Sequence, residues 1–275
     1  MAAMRIKVLD KAVQVVELLA RSNRAVRLKE VAQTLRMNKT TAFRILSALE
    51  AHSIAMRNGA GTFALGNRVL WWETCYRRNF ELLGVVHPYL EKLRDVTSET
   101  VAFSVLVGDQ TVSVDQVISP HVTSTRFDLG VSATLNAGAS GRIMLGYLDP
   151  EKQKQFLTCA PLACGTERTI IDRKELEREI HRCRAKGYAM SSGERFPNTT
   201  SIAAPIFGRD GNVLGVISVV GPSDRLTQKR CRFVAPLLLE QTRLLTEQIS
   251  RSGKRQEKTP VASAKSLGSE KGLAE

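Results

Sequence analysis

The chain contains no apolar run near the roughly 18 uninterrupted residues that a membrane span needs. Its opening, Met1 to Asp10, carries charge and no apolar core, so a secretory leader is not expected. Cysteine is scarce and odd in number: Cys75, Cys159, Cys164, Cys183 and Cys231, with no C-x-x-C pair. That argues against a disulfide framework and a structural zinc cluster, and fits a reducing cytoplasm. The four histidines, His52, His87, His121 and His181, stand in scattered contexts without metal-ligand spacing. There is no P-loop and no dinucleotide fingerprint. Ser140 lies in Gly138-Ala139-Ser140-Gly141-Arg142, which is not the G-x-S-x-G elbow of a hydrolase. No activated nucleophile or acid–base pair can be assembled, so no catalytic residue, cofactor or metal site is expected.

What the chain does have is a sizeable apolar fraction, 43%, and an excess of positive charge, +13 over 275 residues. The first excludes wholesale disorder. The second is unevenly placed. Residues 1–82 hold 14 Lys and Arg against 6 Asp and Glu, while residues 83–250 hold 20 against 18. The last 25 residues hold 6 against 3. A basic module joined to a nearly neutral globule suggests an anion-binding part carried by something with another task. A basic balance without a specific partner is the plainer alternative.

In the basic third, Leu9 to Ala20 has helical apolar spacing, and Leu28, Val31, Ala32 and Leu35 form a second short stripe. A turn at Arg36-Met37-Asn38 follows, with Asn38 placed as an N-cap, and the stripe restarts at Ala42, Ile45, Leu46 and Leu49. Two short helices joined tightly over one small core are a helix-turn-helix. The second helix turns Lys39, Thr40, Phe43, Arg44 and Ser47 outward, with Thr41 at the edge. Hydroxyls and backbone amides there suit phosphates, and arginine suits a guanine edge. An ordinary solvated face is the competing reading. Arg36 occupies a turn position where a smaller residue is commoner. Residues 54–57 and 62–65 then flank Asn58-Gly59, a hairpin signal in which both residues tolerate positive φ. Arg57 at its tip is a candidate phosphate or minor-groove contact. The order of three helices and a hairpin is that of a winged helix-turn-helix.

Asn67 to Leu83 reads as one further helix, apolar over a wide arc through Leu70, Trp71, Trp72 and Tyr76. It packs either within its own fold or on a second copy of the chain. A dimer-forming linker fits best, because a major-groove reader gains affinity from two half-sites.

Beyond His87 to Val96, helical again, the period shifts to two in Val101, Phe103, Val105 and Val107, with a return through Val112, Val114 and Val117. Strands are expected near Ser124–Asp128 and Thr134–Leu135. Helices are expected from Ala139, over Pro150 to Leu157 and over Asp172 to Lys186. A second hairpin spans Ile202 to Val220 around Arg209-Asp210-Gly211-Asn212, and a long helix covers Thr227 to Ile249. The result is an α+β domain with one central antiparallel sheet. Within it, residues 136–142 lead small side chains straight into a helix. Such a start presents free amides to an anion, or lets the helix sit tightly on the sheet. Ser191-Ser192-Gly193-Glu194 reads as a hydroxyl-rich loop.

Taken together, these segments resemble the IclR family of bacterial transcriptional regulators over about residues 5–250. The likeness rests on Leu28–Ala32, Asn38–Leu46, Leu135–Arg142, Lys186-Gly187-Tyr188 with Glu194, Ile202–Phe207 and Gly215–Pro222. It implies a winged helix-turn-helix at 5–66, a linker helix at 67–83 and a GAF-like effector-binding domain at 84–250. A disordered basic tail is expected at 251–275. It further implies dimers pairing into tetramers on a palindromic operator of double-stranded DNA, with repression of a catabolic operon lifted or set by a small organic acid. The implied effector contacts are Ala139, Ser140 and Gly141, the loop residues Ser191 and Glu194, and Ser201 and Ser218 on strands. The chain departs from the family pattern at Asn136 (commonly His), Arg142 (Lys), Ser191 (acidic), Asn198 (Gly) and Val220 (Ser). Two other functions stay open on sequence: an enzyme turning over a small acid in the same pocket, and a non-specific nucleic-acid binder.

Overall fold

Residues 6–252 are described by a computed structural model, and the chain divides into two units, Met1–Glu81 and Leu82–Glu275. The tail expected at 251–275 lies, past Ser252, outside the described residues, as does residue 5.

In the first unit the helical period produces α1 (Lys7–Arg21), then, after the two-residue strand β1 (Val26–Arg27), α2 (Leu28–Thr34) and α3 (Lys39–Ala51). Val15, Leu19, Val31, Ala42 and Leu46 gather in one buried cluster that also takes Phe63. The turn after α2 closes with the Met37 N–H donating to the Ala32 carbonyl at 2.9 Å, while Arg36 takes a left-handed φ of 50°. That is the Schellman geometry in which glycine is usual. An arginine there costs about 1–2 kcal/mol in backbone strain. Asn38 caps α3, its Oδ1 accepting from the Thr41 N–H at 2.7 Å.

Strands β2 (Ala55–Arg57) and β3 (Thr62–Leu65) form the wing, with β1 as the third strand in the order β1-β3-β2. The turn differs from the expected one. Asn58 and Gly59 keep negative φ, and it is Gly61 that turns left-handed at φ 71°. The Gly61 N–H donates to the Asn58 carbonyl at 2.9 Å and the Asn58 N–H to the Thr62 carbonyl at 2.8 Å. This is a three-residue loop with a bulge, so the second glycine rather than the Asn-Gly pair sets its hand. The expected helix 67–83 is also corrected. α4 (Arg68–Asn79) ends at Phe80, and a new helix, α5 (Leu82–Thr97), begins two residues later. The apolar arc runs on across the break, and no glycine or proline marks it, so periodicity alone joined the two.

The second unit is built on a six-stranded antiparallel sheet. In chain order come β4 (Thr100–Val107), β5 (Gln110–Val117), β6 (Ser132–Thr134), α6 (Gly138–Gly146), α7 (Pro150–Cys159), α8 (Arg173–Lys186), β7 (Ala189–Ser192), β8 (Thr199–Phe207), β9 (Val213–Pro222) and α9 (Gln228–Ser252). The strand order is β6-β5-β4-β9-β8-β7. Alternation assigns the faces. Val101, Phe103, Ile217, Val219, Ile202 and Ala204 are fully buried on the side where α5 and α9 pack. The other side presents Ala189, Ala203 and Val216 to Leu135, Ile143, Leu176 and Ile180, which belong to α6, α8 and the residue run leading into α6. That second face carries the pocket.

Two expectations are corrected here. Ser124–Asp128 forms no strand: the side chain of Gln116 takes both backbone groups of Phe127, donating to its carbonyl at 2.7 Å and accepting from its N–H at 3.0 Å. A side-chain amide thus replaces a ladder, which alternation cannot reveal. Ser191 and Ser192, read as loop, close the edge strand β7, with Ser191 opposite Ser201.

Candidate functional site

On α3 the buried stripe Ala42, Ile45, Leu46 and Leu49 fixes which face looks outward. Lys39, Thr40, Phe43 and Arg44 are exposed, Phe43 by 46%, and Thr41 and Ser47 lie half-buried at the edges. Among the described residues neither Lys39 nor Arg44 has a hydrogen-bonded or ionic partner, so both cations are free for an external anion. Arg57 is exposed at the end of β2, its guanidinium 5.7 Å from the ring centroid of Phe63.

The same unit leaves apolar surface uncovered. No residue of α4 is buried, and Leu70, Trp71, Trp72 and Tyr76 are exposed by 45 to 68%. On α1, Val8, Leu9 and Val13 are exposed as well. Side chains of this kind are ordinarily covered by something.

In the second unit, a pocket lies between the sheet and the start of α6. Its lining brings together six of the expected effector residues: Ala139, Ser140, Gly141, Ser191, Ser201 and Ser218. The small-residue run is used differently at different residues. A Cβ on Gly141 would come within 2.5 Å of the Leu135 carbonyl oxygen, so that glycine serves the close approach of helix to chain. Gly138, at φ 85°, has open space on its Cβ side and lines the pocket. The N-cap of α6, Ala137, has no side chain with which to cap the helix.

Glu194 is placed differently. It is absent from the lining; its carboxylate accepts from the Gly138 N–H at 3.3 Å and from the guanidinium of Arg142, both side chains being buried. Arg142 also donates to the Met190 carbonyl. Asn136 is fully buried and satisfied: its amide donates to the carbonyls of Ala163 and Ile170 at 2.9 and 3.0 Å and accepts from the Ala163 N–H at 3.2 Å. It ties the 160–170 segment to the start of α6. Asn198, where the family pattern has glycine, adopts φ 56°, which asparagine tolerates better than most residues.

Sequence reasoning missed several lining residues. Phe127, Arg195, Phe196 and Thr199 come from two loops and a strand end, joined by Ser104 of β4 and Thr111 of β5. Arg195 is the one ionisable group in the lining. Burial pulls its guanidinium below the usual arginine value, against a partial opposing effect of Asp128. A signal was present in Glu194-Arg195-Phe196, a charged pair against an aromatic, but its inward turn depends on the β7–β8 connection.

Among the described residues, no three or more His, Cys, Asp or Glu side chains gather in a way that would hold a metal ion. Nor is any helix there long and apolar enough to cross a membrane.

Comparison with known proteins covers both units of the chain. Residues 8–59 match the IclR helix-turn-helix domain, and residues 75–251 match the C-terminal domain of bacterial transcriptional regulators of the IclR type. The chain is 30% identical to the HTH-type transcriptional regulator BhcR of Paracoccus denitrificans, over 88% of this chain and 86% of that protein. It is 25% identical to the transcriptional repressor IclR of Escherichia coli, over 88% and 89%. In fold it is similar to a crystal structure of an IclR homolog complexed with 4-hydroxybenzoate from Microbacterium hydrocarbonoxydans. That likeness has a TM-score of 0.75 at 22% identity and covers 90% of this chain and all of that one.

Proposed function

The chain belongs to the IclR family of bacterial transcriptional regulators, and on that footing we propose that α3 reads an operator while the pocket beside α6 takes the effector that governs it. As a family member it is a ligand-responsive, DNA-binding regulator with an effector-binding C-terminal part. The finer assignment is ours. Residues 5–66 bind DNA through Lys39, Thr40, Thr41, Phe43, Arg44, Ser47 and Arg57. Residues 67–83 connect, and residues 84–250 bind a small organic anion through the lining described above. The protein works in the cytoplasm as a dimer or a pair of dimers on a palindromic site, as repressor of a catabolic operon.

The observation that carries this reading is the outward face of α3, where two unpartnered cations alternate with hydroxyls and one exposed ring. Phosphates suit the first, thymine methyl groups the last. Effector binding favours one arrangement of the paired recognition helices over another, and couplings of this kind amount to about 1–3 kcal/mol. Fragments upstream of neighbouring genes are the test, with random DNA as competitor at two salt concentrations. Replacing Arg44 by Ala is expected to lower specific affinity by about 1–3 kcal/mol if it reads a base, and to weaken all sequences alike if it meets phosphate. Unchanged binding removes Arg44 from the interface. The lining of hydroxyls, amides and a single guanidinium supports retention of the ligand rather than turnover. An acid recovered unaltered after incubation is the expected result.

A further inference from the structure

We infer that Arg195 is the carboxylate anchor of the pocket beside α6, and that its ligand is a monocarboxylate whose far end carries a neutral hydrogen-bonding group met by Ser218. This rests on the reading of that pocket as the effector site; to Ser218, already expected as a contact there, it adds Arg195 as the group that selects the ligand's charge.

Three observations carry it. The guanidinium carbon of Arg195 lies 5.5 Å from the ring centroid of Phe127 and 5.2 Å from that of Phe196. Aromatic contact engages the flat face of a guanidinium and leaves its in-plane N–H donors free. Among the described residues none of those donors has a hydrogen-bond or salt-bridge partner; burial lowers the group's affinity for the proton, and the more distant charge of Asp128 offsets this only in part while disfavouring a second ligand carboxylate. A bidentate carboxylate answers both deficits. Second, Ser218 Oγ is buried, its residue 1% exposed, has no hydrogen-bond partner and lines the same pocket. A buried hydroxyl left unpaired costs about 1–3 kcal/mol, which a ligand oxygen or hydroxyl would recover. Third, the remaining lining residues are uncharged. The other cation nearby, Arg142, is spent on Glu194. One fixed positive charge matches one carboxylate, not two, with the amides at the start of α6 left for neutral oxygens.

The test uses the full chain and a defined panel: glycolate, lactate, 3-hydroxybutyrate and 4-hydroxybenzoate, their primary amides, and succinate and fumarate as dicarboxylates. Thermal midpoint shifts screen for binding, and calorimetric titration gives the affinity. At least one hydroxy monocarboxylate is expected to bind the wild-type chain, while its amide and the dicarboxylates bind at least tenfold more weakly. Arg195→Gln and Arg195→Lys should each weaken that acid tenfold or more, since an ammonium cannot reproduce the fork. Ser218→Ala should weaken the hydroxy acid but not the analogue lacking the hydroxyl. Far-UV circular dichroism and ligand-free thermal midpoints confirm that the variants fold, and the analogue comparison separates selection from general damage. If Arg195→Gln binds the acid as tightly as wild type, or the amide binds as well as the acid, the anchor is refuted and the pocket reading stands. A preferred dicarboxylate refutes the single-charge match. If no acid binds and none alters DNA retention, the pocket reading falls with it.

Discussion

Four charged side chains, Glu99, Asp115, Arg142 and Glu194, are buried among the described residues. Each has a hydrogen-bonding side-chain partner. Glu99 receives a bidentate pair from Arg225 at 2.8 and 2.9 Å, Asp115 meets His87 at 2.7 Å, and Arg142 meets Glu194. The last pair sits directly behind the pocket, so removing one member strands a charge in a dry place. Glu194→Leu is expected to cost about 3–5 kcal/mol, and the double replacement Arg142→Met with Glu194→Leu to recover most of it. Urea denaturation of the single and double variants measures both. Thiol chemistry separates just as sharply. Burial pushes Cys231 up to about 11 and raises Cys183 as well, while Cys159 and Cys164 are exposed. A native thiol with a raised value stays protonated as pH climbs through the ordinary cysteine range. Iodoacetamide at pH 8 should therefore modify Cys159 and Cys164 first, and Cys183 and Cys231 only on unfolding, as peptide mapping would show.

At the scale of elements, α3 depends on how it begins. Asn38 satisfies the Thr41 N–H and sets the first turn from which Lys39 and Thr40 project. Asn38→Ala is expected to lower stability by about 1 kcal/mol and to weaken operator binding beyond that loss, because a frayed first turn misplaces those two side chains. A matched pair of denaturation and DNA-titration curves tests this. α6 begins in the opposite way, with an N-cap that has no capping side chain, one amide spent on Glu194, and its next residues facing the pocket. A start of that kind keeps amides available to a ligand. The loop carrying Phe127 is held by Gln116 rather than by a strand partner, which places an aromatic ring against Arg195 without extending the sheet.

For the whole molecule, uncovered apolar area on α1 and α4 is the feature that a solitary chain leaves unexplained. Trp71 and Trp72, 58% and 45% exposed, are adjacent and thus point in different directions, so one flanking surface cannot cover both. Under the dimer proposed above, a second copy would cover part of this surface and would bring the second recognition helix that two half-sites require. Replacing Trp71 and Trp72 together by Glu is expected to shift the assembly toward monomer in sedimentation velocity. DNA affinity should then fall more for a two-half-site operator than for a single half-site. An unchanged sedimentation profile would assign those tryptophans another cover.

The sequence by itself determined the helix order of the first unit, the outward face of α3, the central sheet and the small-residue start of α6. Each is written in local period or in residues a few positions apart, and local rules of helix, strand and turn suffice to read them. Where those signals were ambiguous or misleading, reading them failed. The break at Phe80 lay inside an unbroken apolar arc, the wing turn used Gly61 instead of Asn58-Gly59, and Phe127 was anchored by the side chain of Gln116, eleven positions earlier, rather than by a ladder. Only the tertiary structure decided that Glu194 turns away to Arg142 while its neighbour Arg195 faces the pocket. Alternation along one strand cannot fix that choice. It follows from which charges can be buried together, and in this chain the partners are separated by some fifty residues.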